Sequence, residues 1–361
     1  MIIKENILLS EYTTIKLGGA AKYFIECDSE SSVTEALKFA REKNARIQVL
    51  SGGSNIIFPD NGFDGVILKM NIKGVSVKNE NEDHFITSGA GESWDDIVLY
   101  CIENEFAGAE CLSGIPGSVG AVPVQNVGAY GQEVADIIHS VRTVDRDTYE
   151  IKVFGNDDCK FGYRNSRFKS GDPDIKDKYI ITEVVFKMKK NAEPVIRYPE
   201  LQKYISAMTD LSSLKPGKEK LFFIRNAVLA LRKKKSMIID KDDPDSVSCG
   251  SFFTNPVLNS EEFKILKTKT DDLKLILPFY ETPDPGTEKK KYKIPAAWLI
   301  EQSGFVKGYN RNGAGISANH SLAIVNRGGK TSDVISLSEE IIRTVKNKFG
   351  VMLVNEPVIV S

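Results

Sequence analysis

A chain of two or three domains that mixes helices with strands is what this sequence predicts, on three observations. At 361 residues the chain is longer than a single hydrophobic core ordinarily serves. Apolar runs of strand length alternate with segments whose apolar residues recur at helical spacing. A glycine-rich tract over 113–131 interrupts that alternation and suits neither a regular helix nor a strand.

Residues 22–27 read as a strand. Residues 29–44 read as a helix, with Val33, Leu37 and Ala40 on one face behind serines able to cap it. Residues 46–50 form a second strand that runs into Ser51-Gly52-Gly53-Ser54-Asn55, and 65–68 a third. A strand ends in Ser88-Gly89-Ala90-Gly91-Glu92 and a helix covers 93–104; strands follow at 140–144, 150–154 and 179–188. Residues 198–240 read as polar loop followed by a lysine-rich helix. Beyond it, 248–350 forms a further unit with helices at 296–303 and 332–349, and 351–360 is a strand-like tail.

Lys plus Arg number 48 against 49 Asp plus Glu, a net charge of -1, so no global field collects nucleic acid or an anionic membrane. Apolar runs fall far short of the ~20 residues of a bilayer span. The first residues lack the basic-then-apolar layout of a signal peptide, and a cytoplasmic location is expected. Five cysteines (Cys27, Cys101, Cys111, Cys159, Cys249) are scattered without a CxxC pair, so buried free thiols are expected rather than disulfides or metal ligands. The three histidines, His84, His139 and His320, have no spaced partner that marks a zinc site or a Ser-His-Asp triad.

Gly52-Gly53-Ser54-Asn55 after an apolar strand suits a phosphate cradle, because glycines let the backbone and its N–H groups approach an anion. It is also a good generic turn, and it is neither a Walker A sequence nor GxGxxG. The tract from Gly114 to Gly131 has five glycines and two prolines in eighteen residues. Such a segment can lay N–H groups along a pyrophosphate and a flat ring.

Six pieces now stand in order along the chain: Thr13-Thr14-Ile15-Lys16-Leu17-Gly18-Gly19; Ser51-Gly52-Gly53-Ser54-Asn55; the 114–131 tract; Phe161-Gly162-Tyr163-Arg164-Asn165-Ser166; Gly250-Ser251-Phe252-Phe253-Thr254-Asn255-Pro256; and Asn355-Glu356-Pro357. In that order they resemble the UDP-N-acetylenolpyruvoylglucosamine reductase (MurB) family of peptidoglycan synthesis. The resemblance implies an FAD-binding fold of the vanillyl-alcohol-oxidase (PCMH) type in two α+β subdomains, plus a C-terminal α/β substrate-binding domain. The corresponding boundaries are 1–70, 71–236, 237–350 and a C-terminal strand at 351–361 carrying Glu356. Within the family the chain resembles the subgroup with a tyrosine-bearing loop, with Tyr198 at the tyrosine position. It departs from the pattern at Val122, where a smaller residue is more usual, and over 206–220, which is longer than the subgroup's loop.

The resemblance also implies non-covalent FAD, NADPH as hydride donor, a UDP-sugar substrate, no nucleic-acid or membrane partner, and a monomer. The FAD residues carried over are Gly52, Gly53, Ser54, Asn55, Gly114, Pro116, Gly117, Ser118, Gly120, Asn126, Gly128, Tyr130 and Gly131. Arg164 matches the residue that stabilises the enolate, and Ser251 the proton donor to the α-carbon. Glu356 matches the acidic partner, expected to be protonated when hydride arrives. Tyr163, Tyr198, Lys235, Asn255 and Gln302 match substrate-binding positions. From the residues alone Arg164 reads equally as a surface arginine near Arg167 and Lys169, and Ser251 as a turn serine. The runs 232–235 and 289–291 read by themselves as solvated basic faces. Two other functions stay open: a flavin oxidase of the same fold, with His139 or Cys111 as covalent attachment points, and a binding protein without turnover.

Overall fold

A computed structural model describes residues 1–169, 175, 177–283 and 290–361; Lys289 of the basic run lies outside the described residues. The chain divides into two compact units. The first comprises Met1–Leu8, Ala20–Gly53 and Gly62–Ile238; the second comprises Leu9–Gly19, Ser54–Asn61 and Ile239–Ser361.

In the first unit a four-stranded sheet runs in the order Ile3–Leu8, Ala20–Cys27, Phe63–Met70, Arg46–Leu50. The outer Ile3–Leu8 strand is antiparallel to its neighbour, and the other pairings are parallel. Helix Glu30–Glu42 makes the crossover and buries Val33, Ala36, Leu37 and Ala40. Its start is set by a capping box: the Ser29 hydroxyl accepts from Ser32 N (3.2 Å), and Ser32 Oγ accepts from Ser29 N (3.0 Å). Such a cap contributes about 1 kcal/mol. A second, antiparallel sheet orders Ile151–Gly155, Ile138–Asp145, Tyr179–Lys190, Asp83–Gly89 and Val75–Glu80, with Phe106–Ala107 on the far end of Tyr179–Lys190. One core joins both sheets, running from Ile25 and Leu68 through Trp94 to Val141 and Phe186. Val122 lies in that core, so its extra bulk faces protein.

The 198–240 stretch differs from expectation. It holds a helix, Pro199–Ser206, before the expected one at Lys218–Lys234. Leu201 and Ile205, four apart, dock on Ile224, Val228 and Leu231, and that burial outweighs the short helix's weak intrinsic stability.

The second unit takes in two stretches that the sequence assigns to the first subdomain. Ile15, Leu17 and Ile57 share a core with Phe252, Phe253, Ile316 and Leu353, which draws Leu9–Gly19 and Ser54–Asn61 into this unit. Its sheets are small: Val257–Leu258, Lys290–Lys293 and Tyr280–Pro283; then Asn310–Arg311, Ala314–Ile316 and Ile324–Asn326, all antiparallel. Helix Ser260–Asp272, absent from the sequence-based expectation, is opened by an Asn259–Glu262 capping box. Helix Thr331–Phe349 ends at Gly350 in the left-handed region, φ 76°. Its first two free N–H groups, Thr331 and Ser332, donate to the carboxylate of Asp60 at 2.7 and 3.0 Å.

The tail is not the continuous strand expected over 351–361. Only Val358–Ile359 pairs, in parallel with Ile56–Ile57, while Asn355 bridges Phe253 and Glu356 sits in a bend. Pro357 has no N–H to donate and interrupts the ladder. Among the described residues no helix is long and apolar enough to cross a membrane. All five cysteines are buried and unpaired, as the sequence predicts.

Candidate functional site

The two glycine segments of the first unit meet. A side chain built on Gly52 would stand 2.5 Å from the Cα of Gly117, an approach only glycine permits. Gly117 itself has φ 127°, closed to other residues. The hydroxyls of Ser51 and Ser118 hydrogen-bond across the same junction. Gly120 packs against Ala90, and its N–H donates to the Ala90 carbonyl at 2.8 Å. Gly53 ends this part of the first unit, whereas Ser54 and Asn55 belong to the second.

The Gly114 N–H donates to Asp95 Oδ1 at 2.6 Å. Asp95 also receives both arms of Arg225, at 2.6 and 2.7 Å. Burial alone would raise the Asp95 pKa, but the Arg225 and Gly114 bonds outweigh it and hold the carboxyl below its ordinary range. Arg232 also borders Gly114; its Nη2 donates to Met237 O at 2.7 Å, and its buried Nε has no hydrogen-bond partner among the described residues. A buried, unmatched donor beside a tract of close-approach backbone is the environment an anion completes.

Asn126 is placed differently from a ligand-facing side chain. Its amide donates to Glu133 Oε2 (2.7 Å) and Gly162 O (3.0 Å) and accepts from Ala135 N (3.1 Å), so it braces the tract from within. Tyr130 packs edge-on against Tyr198, ring centroids 5.5 Å apart, and burial pushes its hydroxyl up to about 12. A side chain on Gly131 would strike Arg197 at 2.9 Å, so the tract ends against the segment bearing Tyr198.

Arg164 is half-buried, with Nη2 donating to Gly128 O (2.7 Å) and Nη1 to Asn126 O (3.4 Å); its guanidinium lies 5.5 Å from the Tyr163 ring centre. The glycine tract therefore positions it, which a solvated surface arginine would not require. Lys235, at the end of helix Lys218–Lys234, pairs with Glu200 at 2.6 Å. Lys235 and Tyr198 are thus both tied to helix Pro199–Ser206, Tyr198 as its N-terminal flanking residue.

In the second unit Ser251 is half-buried beside Phe252 and Phe253, both fully buried. Phe252 N donates to Leu322 O (2.7 Å), and Glu356 N donates to Phe252 O (2.9 Å). The Ser251 segment is thereby held between the strand after His320 and the tail bearing Glu356. The Glu356 carbonyl accepts from Asn55 Nδ2 at 3.2 Å. Ser248 bridges Val325 in the backbone, and its Oγ accepts from Gly250 N at 3.1 Å. Asn255 Oδ1 accepts from Ala296 N (2.8 Å) at the start of helix Ala296–Gln302, whose other end is Gln302.

Two groups carried no sequence signal. Asp245 is buried and accepts from Ala318 N (2.7 Å) and Ser317 Oγ (3.1 Å) while pairing with Arg327. His320 Nε2 lies 3.4 Å from Ser251 Oγ. The oxidase anchor points fare poorly: Cys111 is fully buried, with burial raising its thiol pKa, and His139 packs on Phe85.

Comparisons with known proteins accord with this arrangement. Residues 21–153 match the model of an FAD binding domain. Residues 242–360 match that of the UDP-N-acetylenolpyruvoylglucosamine reductase C-terminal domain. The chain is 37% identical over 361 residues to UDP-N-acetylenolpyruvoylglucosamine reductase of Thermobifida fusca (strain YX), covering 99% of this chain and 98% of that protein. It is 40% identical to the protein of the same name from Salinispora arenicola (strain CNS-205), covering 98% and 94%. Among solved structures, UDP-N-acetylenolpyruvylglucosamine reductase (MurB) from Thermus caldophilus aligns over 100% of both chains, with TM-score 0.66 and 22% identity, a likeness of fold. The chain thus carries an FAD-binding domain and a C-terminal reductase domain. Its glycine junction and the Arg232 Nε, unmatched among the described residues, fit a dinucleotide with a pyrophosphate.

Proposed function

The chain belongs to the UDP-N-acetylenolpyruvoylglucosamine reductase family, and from that premise we propose that it reduces UDP-N-acetylglucosamine enolpyruvate to UDP-N-acetylmuramate in the cytoplasm, as a monomer. When bound, FAD would supply the hydride that the terminal vinyl carbon takes, and NADPH would renew it. Gly52, Gly53, Gly114 and Gly117 offer the backbone on which FAD rests, with Arg232 as an internal cation. Hydride addition leaves negative charge on the α-carbon and its carboxylate. Arg164 answers that charge with a fixed fork of donors. Ser251 gives the α-carbon its proton. Glu356, carried by the tail bonded to Phe252, is neutral at that moment, since a carboxylate beside the forming dianion would oppose it. Tyr163, Tyr198, Lys235, Asn255 and Gln302 hold the UDP-sugar, with Lys235 exchanging Glu200 for a phosphate oxygen.

The observation that carries this reading is Ser251 itself: a half-buried serine directly before two buried aromatics, the first of which is anchored through both its N–H and its carbonyl. An anaerobic absorbance experiment tests it. NADPH bleaches the flavin, and UDP-N-acetylglucosamine enolpyruvate restores the oxidised spectrum in the wild type but not in Ser251→Ala, which still bleaches. A bleached flavin that returns only when air enters refutes the reductase and favours an oxidase.

A further inference from the structure

We propose that His320 is a positioning residue for Ser251, donating its Nε2–H to the serine oxygen; this rests on the proposed role of Ser251 as proton donor. The two side chains come from positions 69 residues apart and stand 3.4 Å from each other, both half-buried. That distance is at the outer edge of a hydrogen bond, as catalytic contacts often are before substrate closes them.

The contact is built by the backbone. Ser248 bridges Val325 and Phe252 N bonds Leu322 O, so the Ser251 segment lies alongside 322–325. The turn just before that segment carries His320. Ser317 Oγ accepts from Asn319 N (3.0 Å) and His320 N (3.2 Å), and Ala323 N donates to His320 O (3.0 Å). The buried Asp245 takes Ser317 Oγ–H and Ala318 N–H on one oxygen and Arg327 on the other. Glu301 receives the Ser321 hydroxyl from the same turn. Among the described residues, the charged groups bonded to this turn are thus Asp245, which takes the Ser317 hydroxyl and the Ala318 N–H and is itself paired with Arg327, and Glu301, which takes the Ser321 hydroxyl.

The chemistry calls for a donor at that place. A serine hydroxyl is a weak acid, and its hydrogen must point at the α-carbon rather than at a neighbouring acceptor. An N–H directed at Oγ occupies the lone-pair side and turns the hydroxyl hydrogen away. In the step, the Oγ–H bond breaks, and the enolate electron pair forms the new C–H bond. The alkoxide that remains is stabilised by the same N–H until solvent returns a proton. A single donor aimed at a developing oxyanion is worth about 10²–10³ in rate.

Two measurements test this on the holoenzyme. With three histidines in the chain, ¹⁵N-histidine labelling gives three imidazoles to follow. Ser251→Ala is expected to move the Nε2 resonance of one, the one lost in His320→Ala. Kinetically, His320→Ala is expected to slow flavin reoxidation by UDP-N-acetylglucosamine enolpyruvate about 10²-fold, with KM for that sugar and NADPH bleaching nearly unchanged. His320→Gln, which keeps an N–H of similar reach, is expected to recover at least about tenfold. Wild-type reoxidation in His320→Ala, no recovery in His320→Gln, or histidine resonances blind to Ser251→Ala would each overturn the proposal. If the wild type itself is not reoxidised by the sugar, the functional reading fails first, a separate and recognisable outcome.

Discussion

The backbone N–H of Glu356 donates to the carbonyl of Phe252 at 2.9 Å, joining the tail of the chain to the residue next to Ser251. Because Phe252 N is itself bonded to Leu322 O, one residue ties the tail, the serine segment and the His320 turn together. Its fully buried ring anchors that junction. Phe252→Ala is expected to destabilise the second unit by about 3–5 kcal/mol and to lower its thermal midpoint, read by scanning calorimetry. An unchanged midpoint would mean the ring is not the anchor.

Glu356→Gln leaves the bond to Phe252 in place, since that bond uses only main chain. A loss of activity in this variant does not then come from loss of that main-chain bond. Sugar-driven flavin reoxidation is expected to fall about 10²-fold, while bleaching by NADPH persists. Full activity would remove Glu356 from the mechanism.

Gly52→Ala places a methyl 2.5 Å from Gly117 Cα, and backbone lies on both sides of the junction. The variant is expected to fold and to purify with little flavin, seen as a lowered ratio of 450 nm to 280 nm absorbance relative to wild type. Normal flavin content would show that the junction does not shape the cofactor site.

The Lys235–Glu200 pair competes with any phosphate for the ammonium. Glu200→Gln is expected to lower KM for the UDP-sugar a few-fold, and Lys235→Ala to raise it about tenfold or more, both with modest change in kcat. Opposite signs in steady-state kinetics are the check; equal shifts in one direction would argue against the exchange.

Asp95 is held below its ordinary range because Arg225 and the Gly114 N–H outweigh burial. A carboxylate with a depressed folded-state pKa contributes stability that is present above the unfolded value of about 3.9. That contribution is lost as pH falls through the lower folded value. The stability gap between wild type and Asp95→Asn is therefore expected to narrow toward acid. Urea midpoints measured from about pH 6 to about pH 3 would reveal it. A constant gap would show that the Asp95 charge contributes nothing.

What the sequence determined by itself was local or ordered along the chain. The Ser29 cap and the Val33–Leu37–Ala40 spacing made helix Glu30–Glu42 legible, because its deciding contacts lie within one or two turns. The six motifs in order pointed to the family, and the glycine content of 114–131 to a backbone-lined site. Tertiary structure decided what depends on partners far away in sequence. Leu201 and Ile205 became a helix only against Ile224 and Val228. Ile15 and Ile57 left the expected first subdomain for a core built with Phe252 and Leu353. Asp60 caps a helix 271 residues later, and His320 meets Ser251 although no spacing rule links them. Periodicity records which face of an element is apolar. It holds no information on which distant segment will cover that face, and side chains like His320 acquire a role only from that neighbour.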